Sequence, residues 1–439
     1  MTKRELIKKS VPYTVILVAI YSVLPYSGAV TNVLSILGNT AIWWVLLLGI
    51  LTCYVLSKQY FYDKSNNQNM HFVMAYLSWN LFQVFRGFFI AETYWDWKAL
   101  LENGMALSLP IIAYAITNIY VTQAILRCYF RIGLPLFCFF ILIINRGAYG
   151  FYLVPVGFLM LFFPTLEFKW KMIIGAITIL VITADLSARS NVIKFLMPVL
   201  LLSIYWGRAV VGVRLLEIIR KILFVLPILL FGLAISGAFN IFKMDEYIKD
   251  DYVEVKRDES GQVVEDNLKA DTRTILYVEV LNTAYKYNTW FFGRTPARGN
   301  ETEVFAALAE ATGRQERIGN EVAILNIFTW TGAIGVVLYL VVFYQASYLS
   351  INRSKNTYSK MLGIFVAFRW LYAWIEDINY FSLTTFFIWL MLGLCLSKAF
   401  RNMNNNQVKF WIRGIFEKKY RVFHFKNEQT ANSINIYSK

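Results

Sequence analysis

Five arginines and one glutamate are the residues of this 439-residue chain whose types and settings best fit chemistry. Arg146 lies in Asn145-Arg146-Gly147-Ala148 and Arg189 in Ser187-Ala188-Arg189-Ser190. Arg273 opens a helical pattern, and Arg294 and Arg298 punctuate the turn-rich stretch Gly293-Arg294-Thr295-Pro296-Ala297-Arg298-Gly299. A guanidinium is a planar fork that grips phosphate or diphosphate through two parallel bonds and keeps its charge beside lipid, so these residues suit an anionic ligand. Glu321 can act as a general base if burial raises its pKa toward neutrality. It can equally pair with Arg317, four residues earlier on one helical face, and anchor a helix start. Glu376-Asp377 is a second acid pair, or a carboxylate-capped turn. The only histidines are His71 and His424, neither placed to serve these groups. The insert's carboxylates lack Asp-x-Asp spacing and the four cysteines lack Cys-x-x-Cys spacing, so no metal and no cofactor is expected.

The elements that must position these residues are membrane spans. Hydrophobic residues make up 57% of the chain and charged residues only 16%, and apolar runs of roughly 17–25 residues recur, the length that crosses a bilayer. A sliding window places about twelve spans, at 11–28, 38–57, 71–90, 103–121, 132–145, 148–164, 171–186, 190–206, 222–240, 320–347, 360–375 and 378–398. The basic start, 1–9, runs into the first span without a cleavage site and reads as uncleaved. With the N-terminus inside, the inner loops hold Lys58 and Lys64, Arg127 and Arg131, Lys169 and Lys171, Arg208, Arg214, Arg220 and Lys221, then Arg353, Lys355 and Lys360, as the positive-inside rule requires. Arg146 and Arg189 then fall in tight outer hairpins at headgroup depth, where charges tend to be paired or functional. Arg86 and Arg369 read as arginines reaching from spans toward the headgroups.

The expected fold is therefore an all-α polytopic membrane protein. Spans one to nine occupy 1–240, a large outer loop 241–319, spans ten to twelve 320–398, and a basic cytoplasmic tail 399–439. Connections in compact proteins are short, so the loop is where chemistry is expected. Its first part, around Ser260-Gly261, reads as flexible or hairpin. A helix capped by Asp271-Thr272 follows, with Ile275, Leu276, Val278, Leu281 and Ala284 at helical spacing, and a second amphipathic helix is expected from about 301 to 311.

The net charge of +15 suggests nucleic acid until it is mapped. The loop 241–319 carries 15 acids and 11 bases, net −4, leaving +19 elsewhere, on loops assigned to the inner face. Much of it lies in 407–426, where bases alternate with Phe, Trp and Ile in the manner of a helix lying on anionic lipid, or of a plain solvated tail. The bilayer is the expected partner, and nucleic acid is not.

Where the chain re-enters the membrane, Glu321 is followed after ten residues by Gly332-Ala333-Ile334-Gly335 and an aliphatic run. This resembles the second signature of the O-antigen polymerase and ligase superfamily, in which His usually stands where this chain has Glu321. Arg146-Gly147-Ala148 resembles that superfamily's Ser-Arg-Gly-like hairpin, with Asn145 in place of Ser. The helix from Arg273 to Phe292-Gly293 resembles the arginine-led half of its large periplasmic loop. The resemblance covers roughly 140–350. It implies a glycosyltransferase at the periplasmic face of the bacterial inner membrane, polymerising oligosaccharide repeats carried on undecaprenyl diphosphate. Donor and acceptor would both be lipid-linked glycans, and a chain-length regulator protein is an implied partner. Arg146, Arg189, Arg273, Arg294 and Arg298 would bind the diphosphate and Glu321 would activate the acceptor hydroxyl, with Arg317, Glu376 and Asp377 as secondary candidates. Ligase-type members tend to depend on the histidine, so its absence favours a polymerase. Glycan ligation and lipid-linked sugar transport are the alternatives, although no repeat of two six-span halves supports a transporter.

Overall fold

The computed structural model describes residues 2–27, 40–185, 189–208, 210–243, 253–257, 263–267, 273–302 and 313–421, with 253–257 and 263–267 described by backbone alone. The chain is dominated by helices. In order these are α1 (Lys3–Val23), α2 (Thr40–Phe61), α3 (Asn67–Phe88), α4 (Tyr94–Leu107), α5 (Ile112–Ile116), α6 (Ile119–Cys128), α7 (Leu134–Phe140), α8 (Tyr149–Tyr152), α9 (Val154–Met160), α10 (Phe168–Ala184), α11 (Arg189–Trp206) and α12 (Val213–Ile235). After the insert come α14 (Ala323–Asn352), α15 (Thr357–Tyr372), α16 (Leu383–Leu396), α17 (Lys398–Asn402) and α18 (Asn405–Phe416), with α13 (Thr274–Lys286) inside the insert. Among the described residues six helical stretches, against the twelve spans expected, are long and apolar enough to cross a membrane: Lys3–Tyr26, Thr40–Phe61, Tyr94–Ile116, Ile119–Phe140, Val213–Ile235 and Ala323–Asn352. On α12 the large apolar side chains of Ile218, Ile222, Val225, Ile228 and Leu229 stay exposed, as lipid-facing residues do.

Several boundaries differ from the sequence expectation: the helix expected at 222–240 spans Val213–Ile235, so Arg214, Arg220 and Lys221 sit on it and not in a loop, and the first helix begins at Lys3. Ile119–Phe140 is one continuous run, joined through a π-turn at Tyr129–Gly133, so Arg127 and Arg131 sit on a helix and not in a loop. The preceding stretch, Tyr94–Ile116, starts earlier than the window suggested and tightens to a 3-10 turn where Pro110 removes a backbone donor. A hydropathy window averages over both features. Of the two readings of the start of the insert, flexible or hairpin, the structure shows strand pairing: β1 (Val253–Arg257) and β2 (Val263–Asn267) run antiparallel. A second, minimal pair joins β3 (Asn300–Glu301) to β4 (Glu316–Arg317).

Hydrogen bonds between distant segments define two ends of the bundle. At one end Ser397 Oγ donates to Thr117 O, Asn66 Oδ1 accepts from Lys398 N, and Trp411 Nε1 donates to Ile119 O. At the other, Ser22 Oγ accepts from Leu383 N, Tyr26 O from Asn145 N, and Ile375 O from Arg273 Nε. Every candidate site residue belongs to this second end, here called the insert end.

The insert is seated there by a break in α14. Gly332 has φ +68° and ψ −173°, a conformation essentially confined to glycine. The break frees a carbonyl and an amide, and the turn at 290–294 fills the gap: Arg294 N donates to Thr329 O at 2.6 Å and Ala333 N to Trp290 O at 2.8 Å. Gly293, at φ +69°, lies so close that a Cβ there would stand 2.6 Å from the backbone nitrogens of Thr331 and Gly332. Arg86 on α3 donates to Phe292 O and Trp79 to Thr331 O, fastening the joint to a neighbouring helix.

Candidate functional site

The six residues picked out first do not form one cluster. Arg294 and Arg298 form a lock. Arg294 Nη2 reaches Glu316 Oε1 at 3.1 Å, Arg298 Nη2 reaches the same oxygen at 2.7 Å, and Arg298 Nε donates to Oε2. Arg294 also donates to Gly299 O and lies 4.3 Å from the ring centre of Tyr287. Arg294 is buried and Glu316 nearly so. Both guanidiniums bond one enclosed carboxylate, and so tie the 293–299 turn to β4. Their geometry is that of a clamp on the insert.

Arg273 lies elsewhere, as the N-cap of α13, with Nε donating to Ile375 O at 2.8 Å. One turn along, Tyr277 Oη donates to Trp374 O at 2.6 Å. Both bonds land on the loop between α15 and α16, and that loop is the hub of the insert end. Ala323 N donates to Glu376 O, Ile324 N to Ala373 O, and Asn379 Nδ2 to Ala323 O. The start of α14, the start of α13 and this loop are thus one hydrogen-bonded body. Asp271 and Thr272, expected to cap the helix, and most of the amphipathic helix expected at 301–311 lie outside the described residues. Glu301 itself is in β3.

Asp377 sits in the hub. Its Oδ1 accepts from Asn379 N at 2.9 Å, and Asn326 hydrogen-bonds it from α14. Desolvation outweighs those bonds, and the charges of Glu376 and Glu321 add to it, so the carboxyl is pushed up from 3.8 to about 7. Glu321, in contrast, is 62% exposed and holds Arg317 Nη2 at 3.2 Å, the i,i+4 pair; Arg317 Nε also donates to Gly319 O. Asn320 and Asn326 exchange two hydrogen bonds beside it.

Arg146 and Arg189 are exposed at the same end, on the 3-10 turn Arg146–Ala148 and at the first residue of α11. Asn191 joins the two hairpins by donating Nδ2 to Gly147 O at 2.5 Å. One turn below Arg189's level stands Lys194, buried and 2.5 Å from Glu376 Oε1. Arg369, on the last turn of α15, is only 3% exposed, so it points into the protein and not to the lipid headgroups as its sequence position suggested. Sequence reasoning did not single out Lys194 or Asn191. The available signal was a lone lysine in the apolar run Val192-Ile193-Lys194-Phe195-Leu196, costly in a span unless something inside the bundle receives it.

The insert end therefore carries Arg273, docked two residues from Asp377, whose carboxyl is pushed up to about 7, and the exposed Arg146 and Arg189 on two neighbouring hairpins. Such a set can hold an anion and exchange a proton beside it. Among the described residues no group of His, Cys, Asp and Glu is placed to hold a metal ion. Comparison with family models, with curated proteins and with solved structures finds no match.

Proposed function

We propose that this chain is a membrane glycosyltransferase that polymerises oligosaccharide repeat units carried on undecaprenyl diphosphate, with twelve crossings, both termini cytoplasmic and the insert end facing the periplasm of the inner membrane. The observation that carries this reading is the docking of Arg273 on Ile375, two residues from Asp377. A cation suited to diphosphate thus adjoins a carboxyl suited to taking a proton at neutral pH.

In the proposed reaction the acceptor hydroxyl oxygen bonds to the anomeric carbon of the donor glycan as the bond from that carbon to the lipid diphosphate breaks. Asp377 receives the hydroxyl proton. The diphosphate leaves with the electron pair, and Arg273, Arg146 and Arg189 stabilise the charge that develops on it. Arg294 and Arg298 contribute through the seating of the insert, and Glu321, exposed and paired with Arg317, lines the rim. Gel analysis of surface polysaccharide tests this. Asp377→Asn and Arg273→Ala are expected to remove long chains and leave single repeats on the carrier, while Glu321→Gln retains a ladder. Wild-type ladders in both Asp377→Asn and Arg273→Ala would remove the proposal.

A further inference from the structure

Beneath the hub, where α9, α11, α15 and α16 meet, lies a small cavity of about 30 Å³. Three polar side chains line it, Lys194, Arg369 and Thr384, among apolar walls that include Phe158, Phe195 and Phe365. Arg369 is almost wholly buried, and among the described residues its Nε and Nη2 have no acceptor and the buried Thr384 Oγ1 has no partner. Lys194 spends its bond on Glu376 Oε1. Among the described residues no carboxylate lines the space.

We infer that this cavity is a binding site for one small monovalent anion of chloride size. The charges that face it are Lys194 from α11 and Arg369 from α15. Against them stand Glu376 and, from the same loop, Asp377, whose carboxyl is only partly ionised at neutral pH. Two buried cations with one committed carboxylate leave an uncompensated positive charge in apolar surroundings, which is costly unless a counter-charge enters. A water molecule would meet the hydrogen-bonding need but not the charge. The volume admits a monatomic ion, since a single water already requires about 10–15 Å³; a phosphate or a sugar diphosphate is too large. Nη2 and Nε of Arg369 supply the forked donor, Thr384 the hydroxyl, and Lys194 the second cation. This inference is independent of the proposed reaction.

The test is thermal unfolding of the purified full-length protein in detergent, with sodium chloride exchanged for sodium gluconate at constant ionic strength. A ligand that binds only the folded state raises Tm as its concentration passes Kd. The expected result is a chloride-dependent rise of about a few °C that follows a single-site curve, reproduced by bromide. Arg369→Gln is expected to abolish the dependence. Thr384→Val, which keeps the shape of the side chain, is expected to raise the half-saturating chloride about tenfold, the loss of one charge-assisted hydrogen bond. Equal Tm in chloride and gluconate for the wild type would mean that the cavity holds water, and the inference would be wrong. So would a chloride effect that Thr384→Val and Arg369→Gln both leave unchanged.

Discussion

At the scale of single residues, two carboxylates decide how the insert end behaves, and they behave oppositely. Asp377 is pushed up to about 7, so the folded protein binds its proton more tightly than the unfolded chain does. The stability that proton contributes is complete below about pH 3.8 and is lost as pH rises through about 7. The proposed base role has the opposite slope, because only the ionised form accepts a proton. Polymerising activity in membranes is thus expected to rise with pH and level off above about 7, over the window in which thermal stability falls. Asp377→Asn is expected to flatten the fall in Tm between pH 4 and 8 while removing the activity; a variant whose Tm still falls as the wild type's does would assign the titration to another group. Glu316 is the contrasting case, a nearly buried anion between Arg294 and Arg298. Glu316→Gln strands two guanidiniums and is expected to destabilise the insert by about 3–5 kcal/mol, measurable as earlier proteolytic nicking between β3 and β4. The pairing of Arg317 with Glu321 was legible in the sequence because its i,i+4 spacing is local. The capture of Arg294 and Arg298 by Glu316 was not, since nothing in a turn's composition names a partner 18 or 22 residues ahead.

At the scale of elements, the Gly332-x-x-Gly335 pattern was visible in the sequence, but its physical meaning was not. Gly332 breaks α14, and the turn at 290–294 completes the interrupted ladder, so the motif is half of a joint whose other half lies far upstream. Gly335 fits because a Cβ there would fall 1.8 Å from Thr331 Oγ1. Gly332→Ala forces an alanine into a conformation that costs about 1–3 kcal/mol in strain, and its Cβ would also stand 2.1 Å from Phe291 O. The variant is therefore expected to straighten α14 and unseat the turn, lowering Tm and exposing 290–302 to protease, with Trp290 fluorescence shifting to the red. A variant with wild-type Tm and protease pattern would show that the joint closes without the glycine. That α13 is a helix was legible, but its buried face only in part: of the apolar residues expected there Leu276 and Ala284 are buried while Ile275 and Val278 stay exposed, and Tyr277 and Val280 complete the face. The span limits near Arg127 and Pro110 were not legible, because arginine and proline count against a span in a hydropathy window even where the helix or its turn continues.

At the scale of the whole molecule, the apolar runs that could cross a membrane were the most legible feature, since a bilayer imposes length and composition on each segment separately. The C-terminal segment shows the limit of that logic. Basic residues alternating with Trp, Phe and Ile read as a helix lying on anionic lipid, yet α18 buries its apolar face in the protein. Trp411 is 0% exposed, donates Nε1 to Ile119 O and accepts from Gln123 Nε2 on its carbonyl, while Arg413 Nε donates to Thr165 O. An amphipathic stripe has the same sequence whether lipid or helix covers it. The two situations differ in their response to a cavity. If α18 rested on lipid, Trp411→Ala would weaken attachment to anionic vesicles and leave the bundle intact in neutral detergent. Because the indole fills a closed space between α6 and α18, the substitution is expected to cost about 3–5 kcal/mol and to lower Tm in neutral detergent with no lipid present. Lys409→Ala, on the partly exposed face of the same helix, is expected to leave Tm within about 1 °C of wild type, as surface changes away from buried partners do. Equal Tm values for the two variants in detergent would return α18 to the membrane surface.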